Sequence, residues 1–221
     1  MQVLIIGASR GIGLEFVRQY RSDGHRVTAT ARDDAGLQRL QALGAHTFAL
    51  DVADAASVSG IAWRVDGQSF DTVVVNAGVY GPRSQGLETP TAADFDQVMH
   101  TNVLGPMRVI PQLVDALAPG ARLAVISSRM GSMGLRVSTA GWLYRASKAA
   151  LNSVLKDVSL VLKDRATCIA FHPGWVRTDM GGARADLPVE QAVADMRDTL
   201  ARLTPADNGG FFNHDGTPLA W

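Results

Sequence analysis

The amino-acid sequence predicts an α/β fold in which a doubly wound parallel β-sheet carries helices on both faces, and three observations predict it. Short apolar runs rich in β-branched residues alternate along the chain with longer amphipathic stretches. Within each run, consecutive residues are apolar, which is typical of parallel strands that are covered on both faces. The first run leads directly into a glycine-rich turn and then an amphipathic stretch, the order of a strand, a tight turn and a helix.

The apolar runs are the predicted strands, and the amphipathic stretches between them are the predicted helices. Strands are predicted at 3–6, 27–30, 47–50, 72–75, 123–126 and 167–171. Helices are predicted at 12–21, 37–43, 55–63, 92–117, 146–162 and 189–203. The tail 209–221 contains a turn at Asp215-Gly216 and is expected to add a seventh strand at one edge. Because no linker or repeat interrupts this pattern, we expect one Rossmann-like domain over residues 1–221.

The composition argues against several classes of protein. Among 221 residues, 21 Lys and Arg balance 21 Asp and Glu, and a zero net charge argues against binding nucleic acid through a broad basic surface. The single cysteine, Cys168, excludes an intrachain disulfide, and no histidine is spaced as a metal ligand. No apolar segment reaches the ~20 residues of a membrane helix. We therefore expect a cytoplasmic enzyme with no metal, membrane or nucleic-acid partner.

The glycine-rich turn is a candidate phosphate-binding site. It reads Gly7-Ala8-Ser9-Arg10-Gly11-Ile12-Gly13 and lies between the first strand and the first helix. Glycines let the backbone approach a diphosphate closely, and the free N–H groups at the helix start bind the anion. A plain strand-to-helix turn is the alternative. The position of the turn favours a dinucleotide, contacted by Gly7, Ser9, Arg10, Gly11, Ile12 and Gly13.

The end of the second strand indicates which nicotinamide cofactor binds. An enzyme that uses NAD places a carboxylate here for the ribose hydroxyls, but this strand ends in Thr30-Ala31-Arg32. Arg32 and Arg10 are suited to bind a 2′-phosphate through paired hydrogen bonds. Asp33 and Asp34 are expected to begin the next helix instead. The sequence therefore favours NADPH over NADH.

Tyr144 and Lys148 are the candidate pair for acid–base chemistry. They are four positions apart where a predicted helix opens, and on a helix residues at i and i+4 share one face. An unperturbed tyrosine has a pKa of about 10, which a nearby ammonium lowers by stabilising the phenolate. We therefore predict that Lys148 lowers the pKa of Tyr144 and makes the phenol a proton donor and acceptor near neutral pH.

The order of these motifs resembles the classical short-chain dehydrogenase/reductase family. The matching segments are Gly7–Gly13, Asp51-Val52, Asn76-Ala77-Gly78, Asn102, Ser128, Tyr144-x-x-x-Lys148 and 173–178. The long stretch between Ser128 and Tyr144, the segment 172–182 and the ending 212–221 are similar to sniffer-type carbonyl reductases and C-factor-like bacterial members.

The resemblance implies a role for each matching residue. Tyr144 would donate or accept the substrate proton, Lys148 would hold the nicotinamide ribose, and Ser128 would orient the substrate oxygen. Asn102 would help to hold a water in the proton relay. The remaining cofactor contacts would come from Asp51 and Val52 at the adenine, Asn76, Ala77 and Gly78 at the adenosine ribose, and Pro173, Val176 and Thr178 at the carboxamide and pyrophosphate.

Two positions depart from the family pattern. Ile6 stands where the family usually has threonine, so we expect one local hydrogen bond to be lost. The stretch from Ser128 to Tyr144 is longer than usual, which makes Ser132 a rival for the catalytic serine. We prefer Ser128 because it matches the end of the family's strand and the following loop can absorb extra residues.

The resemblance implies reduction of a ketone, aldehyde or quinone to an alcohol. A dinucleotide-binding signalling protein of the C-factor type with little turnover is the alternative. The substrate wall is expected to come from apolar side chains opposite loop 80–87: Met130, Met133, Trp142, Trp175 and Met180. Helices 92–117 and 146–162 carry extra apolar positions, which favours a homodimer, although covering the sheet would use the same positions.

Overall fold

All seven strands of the protein lie in one parallel sheet. A computed structural model describes all 221 residues. The strands are β1 (Gln2–Ile6), β2 (Arg26–Ala31), β3 (His46–Ala49), β4 (Phe70–Val75), β5 (Leu117–Ile126), β6 (Ala166–His172) and β7 (Gly210–Asn213). Their order across the sheet is β3-β2-β1-β4-β5-β6-β7. The predicted doubly wound parallel sheet is confirmed, and the tail adds β7 at the edge beside β6.

Helices connect the strands and cover both faces of the sheet. They are α1 (Gly11–Ser22), α2 (Asp34–Ala42), α3 (Ala55–Ser59), α4 (Ile61–Arg64), α5 (Ala92–Met99), α6 (Gly105–Leu113), α7 (Trp142–Val161) and α8 (Val189–Arg202). Asp33 caps the start of α2 by accepting a hydrogen bond of 2.6 Å from the Gly36 N–H, as the sequence suggested. None of the helices combines the length and apolar character that a membrane span requires.

The sheet separates two hydrophobic cores. Alternate residues of β1 point to opposite sides, so that Leu4 and Ile6 enter a core of 26 buried residues. Val3 and Ile5 enter the second core, which has 19. Both faces of each central strand are therefore buried, which explains why the strand sequences are apolar at consecutive positions.

The prediction of one continuous helix over 92–117 is wrong. The structure interrupts it with a π-helical turn at His100–Leu104, ends α6 at Leu113, and begins β5 at Leu117. Pro106 explains the π turn, because proline cannot donate to the carbonyl four residues earlier and its ring clashes with that carbonyl. The wider turn relieves the clash and carries Asn102 at its centre.

The predicted helices 55–63 and 146–162 also differ from the structure. The predicted helix 55–63 is divided into α3 and α4 at Gly60, which ends the first and begins the second. Helix α7 begins at Trp142, four positions before the predicted start, because Gly141 takes a left-handed φ of +67° at its N-terminus. Tyr144 consequently lies in the first turn of α7, where its position is fixed by the helix.

Candidate active site

A cleft of about 500 Å³ lies at the carboxyl edge of the sheet. Most of the residues predicted to bind a cofactor line it: Gly7, Ser9, Arg10, Gly11, Ile12, Arg32, Asp51, Val52, Asn76, Ala77, Gly78, Tyr144, Lys148, Pro173 and Thr178. Gly13 and Val176 lie behind this lining rather than in it. The cleft is thus formed where the strands of a doubly wound sheet present their ends to a ligand.

The glycine turn is fixed by contacts that exclude side chains. Gly7 has a φ of +82°, and a Cβ atom there would lie 2.7 Å from Ala77. Its N–H donates to the Thr30 hydroxyl over 2.9 Å, and its carbonyl accepts from the Asn76 amide over 2.6 Å. A Cβ atom at Gly13 would overlap the Gly7 carbonyl oxygen. The turn therefore needs glycine for close backbone packing against the end of β4.

The start of α1 is available to an anion. No side chain caps this helix, and its first turn contains no acidic residue. The first N–H groups of a helix have no partner within the helix, and the helix dipole makes this end positive. Thr178 belongs to the segment after β6, and its methyl group would lie 3.3 Å from a Cβ atom added to Gly11. These features suit a diphosphate between the turn and Thr178.

Three arginines surround the turn. Arg32 is exposed and lines the cleft just after β2. Arg10 lies 3.5 Å from the Asp179 carboxylate, an exposed contact that holds the side chain weakly. Arg39 of α2 donates to the Ser9 carbonyl over 3.2 Å. The sequence analysis missed Arg39, which lies three positions after Gly36, the residue of α2 that packs against Ser9, and so shares its face of the helix.

Tyr144 and Lys148 are brought together at the inner end of the cleft. The Tyr144 side chain and the Lys148 side chain are both buried. The Lys148 Nζ donates to the Ile126 carbonyl over 2.8 Å and lies 5.7 Å from the centre of the Tyr144 ring. Lys148 is therefore tied to the end of β5, beside the phenol.

The expected lowering of the Tyr144 pKa is not what the structure shows. Burial raises the pKa of Tyr144 to about 12, and the Ser128 hydroxyl only partly offsets this. Burial also lowers the pKa of Lys148 to about 8. Removal from water disfavours the charged form of each group, so burial is the main cause of both shifts. The phenol is therefore protonated, and the Lys148 ammonium beside it loses its proton more readily than an exposed lysine would.

The structure separates the two candidate serines. Ser128 follows β5, faces the Tyr144 phenol, and accepts a hydrogen bond of 3.1 Å from the Met130 N–H. Ser132 is fully buried, and its hydroxyl donates to the Ala220 carbonyl over 2.7 Å. Ser132 thus holds the C-terminal segment in place, whereas Ser128 lies next to the phenol.

Asn102 fixes the backbone that follows β4. Its amide nitrogen donates to the Val79 carbonyl over 2.8 Å and to the Ser147 hydroxyl over 2.9 Å. Its amide oxygen accepts from the Val79 N–H over 2.9 Å. The side chain therefore connects the π turn, the strand end and α7, and holds the residue before Tyr80.

Tyr80 is a site residue whose contact the sequence analysis did not predict. Its ring stacks on that of Tyr144 with 4.6 Å between the ring centres. The Tyr80 hydroxyl lies 2.5 Å from the position that a Cβ atom on Gly141 would take. Gly141 is therefore required twice, for its positive φ and for the space that Tyr80 occupies. Residues so distant in sequence form no local sequence pattern from which their contact could be predicted.

Only part of the predicted substrate wall reaches the cleft. Met180 lines it together with Tyr80. The Trp142 indole instead donates to the Glu88 carbonyl over 2.9 Å, and the Trp175 indole donates to the Gly181 carbonyl over 2.9 Å. Met133 is 73% exposed. The two indoles therefore hold loops that border the site.

Comparisons with known proteins agree with this geometry. The family model described as short chain dehydrogenase matches residues 1–187. The chain is 38% identical to C-signal of Myxococcus xanthus over 154 residues, 68% of this chain and 92% of that protein. The carbonyl reductase Sniffer of D. melanogaster superimposes with a TM-score of 0.90 at 28% identity, covering 100% of this chain and 99% of the other.

A carbonyl reductase from Pseudomonas aeruginosa PAO1 in complex with NADP superimposes with a TM-score of 0.89 at 33% identity. The superposition covers 100% of this chain and 99% of that chain. The similarity therefore extends over the turn, the Tyr144–Lys148 pair and the tail.

Proposed function

Because the chain belongs to the short-chain dehydrogenase family and is an oxidoreductase, we propose that it reduces a small carbonyl compound to an alcohol with NADPH. The observation that carries this proposal is the Tyr144–Lys148 pair, buried beside Ser128 at the inner end of the cleft. Similarity to carbonyl reductases of known structure supports the choice of a ketone, aldehyde or quinone as substrate.

The residues of the cleft fit a nicotinamide dinucleotide phosphate. Glycine turn 7–13 and the uncapped start of α1 would hold the diphosphate, and Thr178 would close on it. Arg10 and Arg32 would bind the 2′-phosphate, since no carboxylate stands at the end of β2. Asp51 and Val52 would contact the adenine, while Asn76, Ala77, Gly78, Pro173 and Val176 would support the ribose and nicotinamide. When bound, this cofactor supplies the hydride.

Each residue near the phenol has a separate task. Tyr144 donates its proton to the substrate oxygen, and its high pKa keeps the phenol protonated until charge develops on that oxygen. Ser128 donates a hydrogen bond that orients the same oxygen. Lys148 presents its ammonium to the ribose and to the phenolate that remains after proton transfer. Asn102 positions Val79 and Tyr80, and its contribution to a water relay stays a prediction.

The first test is NADPH oxidation by the purified protein with a panel of ketones, aldehydes and quinones, followed at the NADPH absorbance. Tyr144→Phe should lower kcat by a factor of about 10²–10⁴, because general acid catalysis is lost. Its NADPH affinity and its free energy of unfolding should stay close to those of the wild type. Equal kcat in both proteins would remove Tyr144 from the mechanism.

A signalling protein with little turnover is the second candidate function, favoured by the 38% identity to C-signal. The same measurement separates the two. Tight NADPH binding with no oxidation on any carbonyl, and no change on Tyr144→Phe, would support the signalling role.

A homodimer and a cytoplasmic location complete the proposal. Helix α7 exposes Leu160 and Val161, and α5 and α6 expose Phe95 and Met107. These exposed apolar side chains are the surface that we assign to the interface between two copies of the chain. Sedimentation equilibrium should give twice the mass of one chain, and a monomer at micromolar concentration would contradict the dimer.

A further inference from the structure

Arg83 is exposed and lines the cleft beside Tyr80. Its guanidinium stands 5.7 Å from the centre of the Tyr80 ring, whose other stacking partner is Tyr144. Arg83 lines the cleft, and its Nη2 approaches the Met180 carbonyl at 3.5 Å. A cation is thereby held over the substrate end, between the loop after β4 and the loop after β6.

The guanidinium of Arg83 has no acidic partner in the protein. No carboxylate lies within salt-bridge distance of its guanidinium, and the contact with Met180 is too long to satisfy it. Two acidic residues line the cleft, and neither pairs with Arg83: Asp179 lies 3.5 Å from Arg10, and Asp51 accepts from the Ala53 N–H over 2.9 Å. Lys148, the other cation at this end, donates to Ile126. A substrate therefore meets one free guanidinium here.

Resting on the proposed function, we propose that the substrates of this enzyme are carbonyl compounds that carry a carboxylate, and that Arg83 binds this carboxylate. A guanidinium offers two parallel donors that match the two oxygens of a carboxylate. Arg83 lies beside Tyr80, and Tyr80 stacks on Tyr144, so a carboxylate bound by Arg83 would hold the rest of the substrate close to the phenol. The carbonyl then meets Tyr144 and Ser128 while the carboxylate stays at Arg83.

Arg83 is a specificity-determining residue and takes no part in the proton transfer. The Tyr80 ring beneath it holds the planar guanidinium without competing for its N–H donors. The apolar faces of Tyr80 and Met180 suit the body of a substrate between its two polar ends. A ring or short chain of carbon atoms would span that interval.

The test compares 4-carboxybenzaldehyde with methyl 4-formylbenzoate, which has the same shape around the aldehyde but no negative charge. Both are assayed with NADPH in the wild type and in Arg83→Gln. The matched control is Arg64→Gln, since Arg64 also stands 5.7 Å from an aromatic ring, that of Phe48, but does not line the cleft. A calorimetric titration of both aldehydes onto the protein with oxidised NADP⁺ measures binding without turnover.

Arg83→Gln should raise the KM for the carboxylate aldehyde about tenfold, the usual effect of losing a charge-assisted hydrogen-bonded pair. The KM for the ester, the KM for NADPH and the kcat values should change by less than about twofold, as should every value in Arg64→Gln. The titration should show the same tenfold loss of affinity for the carboxylate alone.

An equal loss for both aldehydes, or a higher KM for NADPH alone, would overturn the role of Arg83 while leaving the proposed reaction intact. If the wild type reduces neither aldehyde nor any panel carbonyl, the proposed reaction fails. The titration then still tests whether Arg83 binds a carboxylate, because equal affinities for the acid and the ester would rule out such a site.

Discussion

The two ends of the cleft are constructed in different ways. The turn half, around residues 7–13, 31–32 and 51–52, is built from backbone atoms and glycines packed too closely for a side chain. The phenol half, around Tyr80, Arg83, Tyr144 and Met180, is built from side chains that come together from distant parts of the sequence, as Tyr80 and Tyr144 do. The first half therefore depends on the local spacing of residues. The second depends on tertiary contacts, which can differ between related enzymes that act on different substrates.

The largest expected effect comes from Gly13→Ala in the turn half. The added methyl group would overlap the Gly7 carbonyl and lie 2.7 Å from the Asn76 amide, and neither can move without opening the turn. We expect a loss of about 2–3 kcal/mol in the free energy of unfolding, as for an overpacked core site. NADPH affinity should fall at least about tenfold, because the N–H groups of α1 leave their positions. Thermal unfolding and fluorescence titration measure the two effects.

Gly60→Ala is the control for this substitution. Gly60 lies between α3 and α4 at a φ of −93°, with nothing within 4 Å of an added Cβ atom. Its unfolding and its NADPH affinity should match the wild type. Wild-type binding by Gly13→Ala would show that the turn does not need its close packing.

The sequence predicted the turn half well because its information is local. The spacing of Gly7, Gly11 and Gly13 and the Arg32 that follows β2 are all read within short segments. The phenol half was predicted only where a motif is local, as for Tyr144 and Lys148. The stack on Tyr80 and the two hydrogen bonds between Asn102 and the Val79 backbone required the folded chain.

The pKa of Tyr144 shows a second limit of the sequence. The spacing to Lys148 predicted the correct neighbour but the opposite shift. The balance between attraction and burial depends on how far both groups are removed from water, and this is a property of the packed fold.

Gly141→Ala tests the phenol half and should have an intermediate effect. At φ +67° an alanine costs about 1–2 kcal/mol of backbone strain, and its methyl group would lie 2.5 Å from the Tyr80 hydroxyl. Tyr80 must then leave Tyr144, so kcat/KM for a carbonyl substrate should fall about tenfold, since a displaced positioning group weakens catalysis. NADPH affinity should stay nearly unchanged.

Gly86→Ala is matched to it, because Gly86 has a φ of +59° with open space around the added methyl group. It should lose similar stability and keep full activity. If both variants lose activity equally, backbone strain alone would explain the result, and the contact between Tyr80 and Tyr144 would not contribute to kcat/KM.

Arg32→Ala should have the smallest effect, and it tests whether the turn half distinguishes NADPH from NADH. Arg32 is exposed, and an exposed charge pair contributes up to about 1 kcal/mol, so its removal should raise the KM for NADPH about fivefold. The KM for NADH, which lacks the 2′-phosphate, should not rise. Arg26→Ala removes an exposed arginine from the opposite end of β2, outside the cleft, and should alter neither constant. A parallel change for NADPH and NADH would mean that Arg32 contacts the adenosine without distinguishing the phosphate, and Arg10 and Arg39 would then be left to bind it.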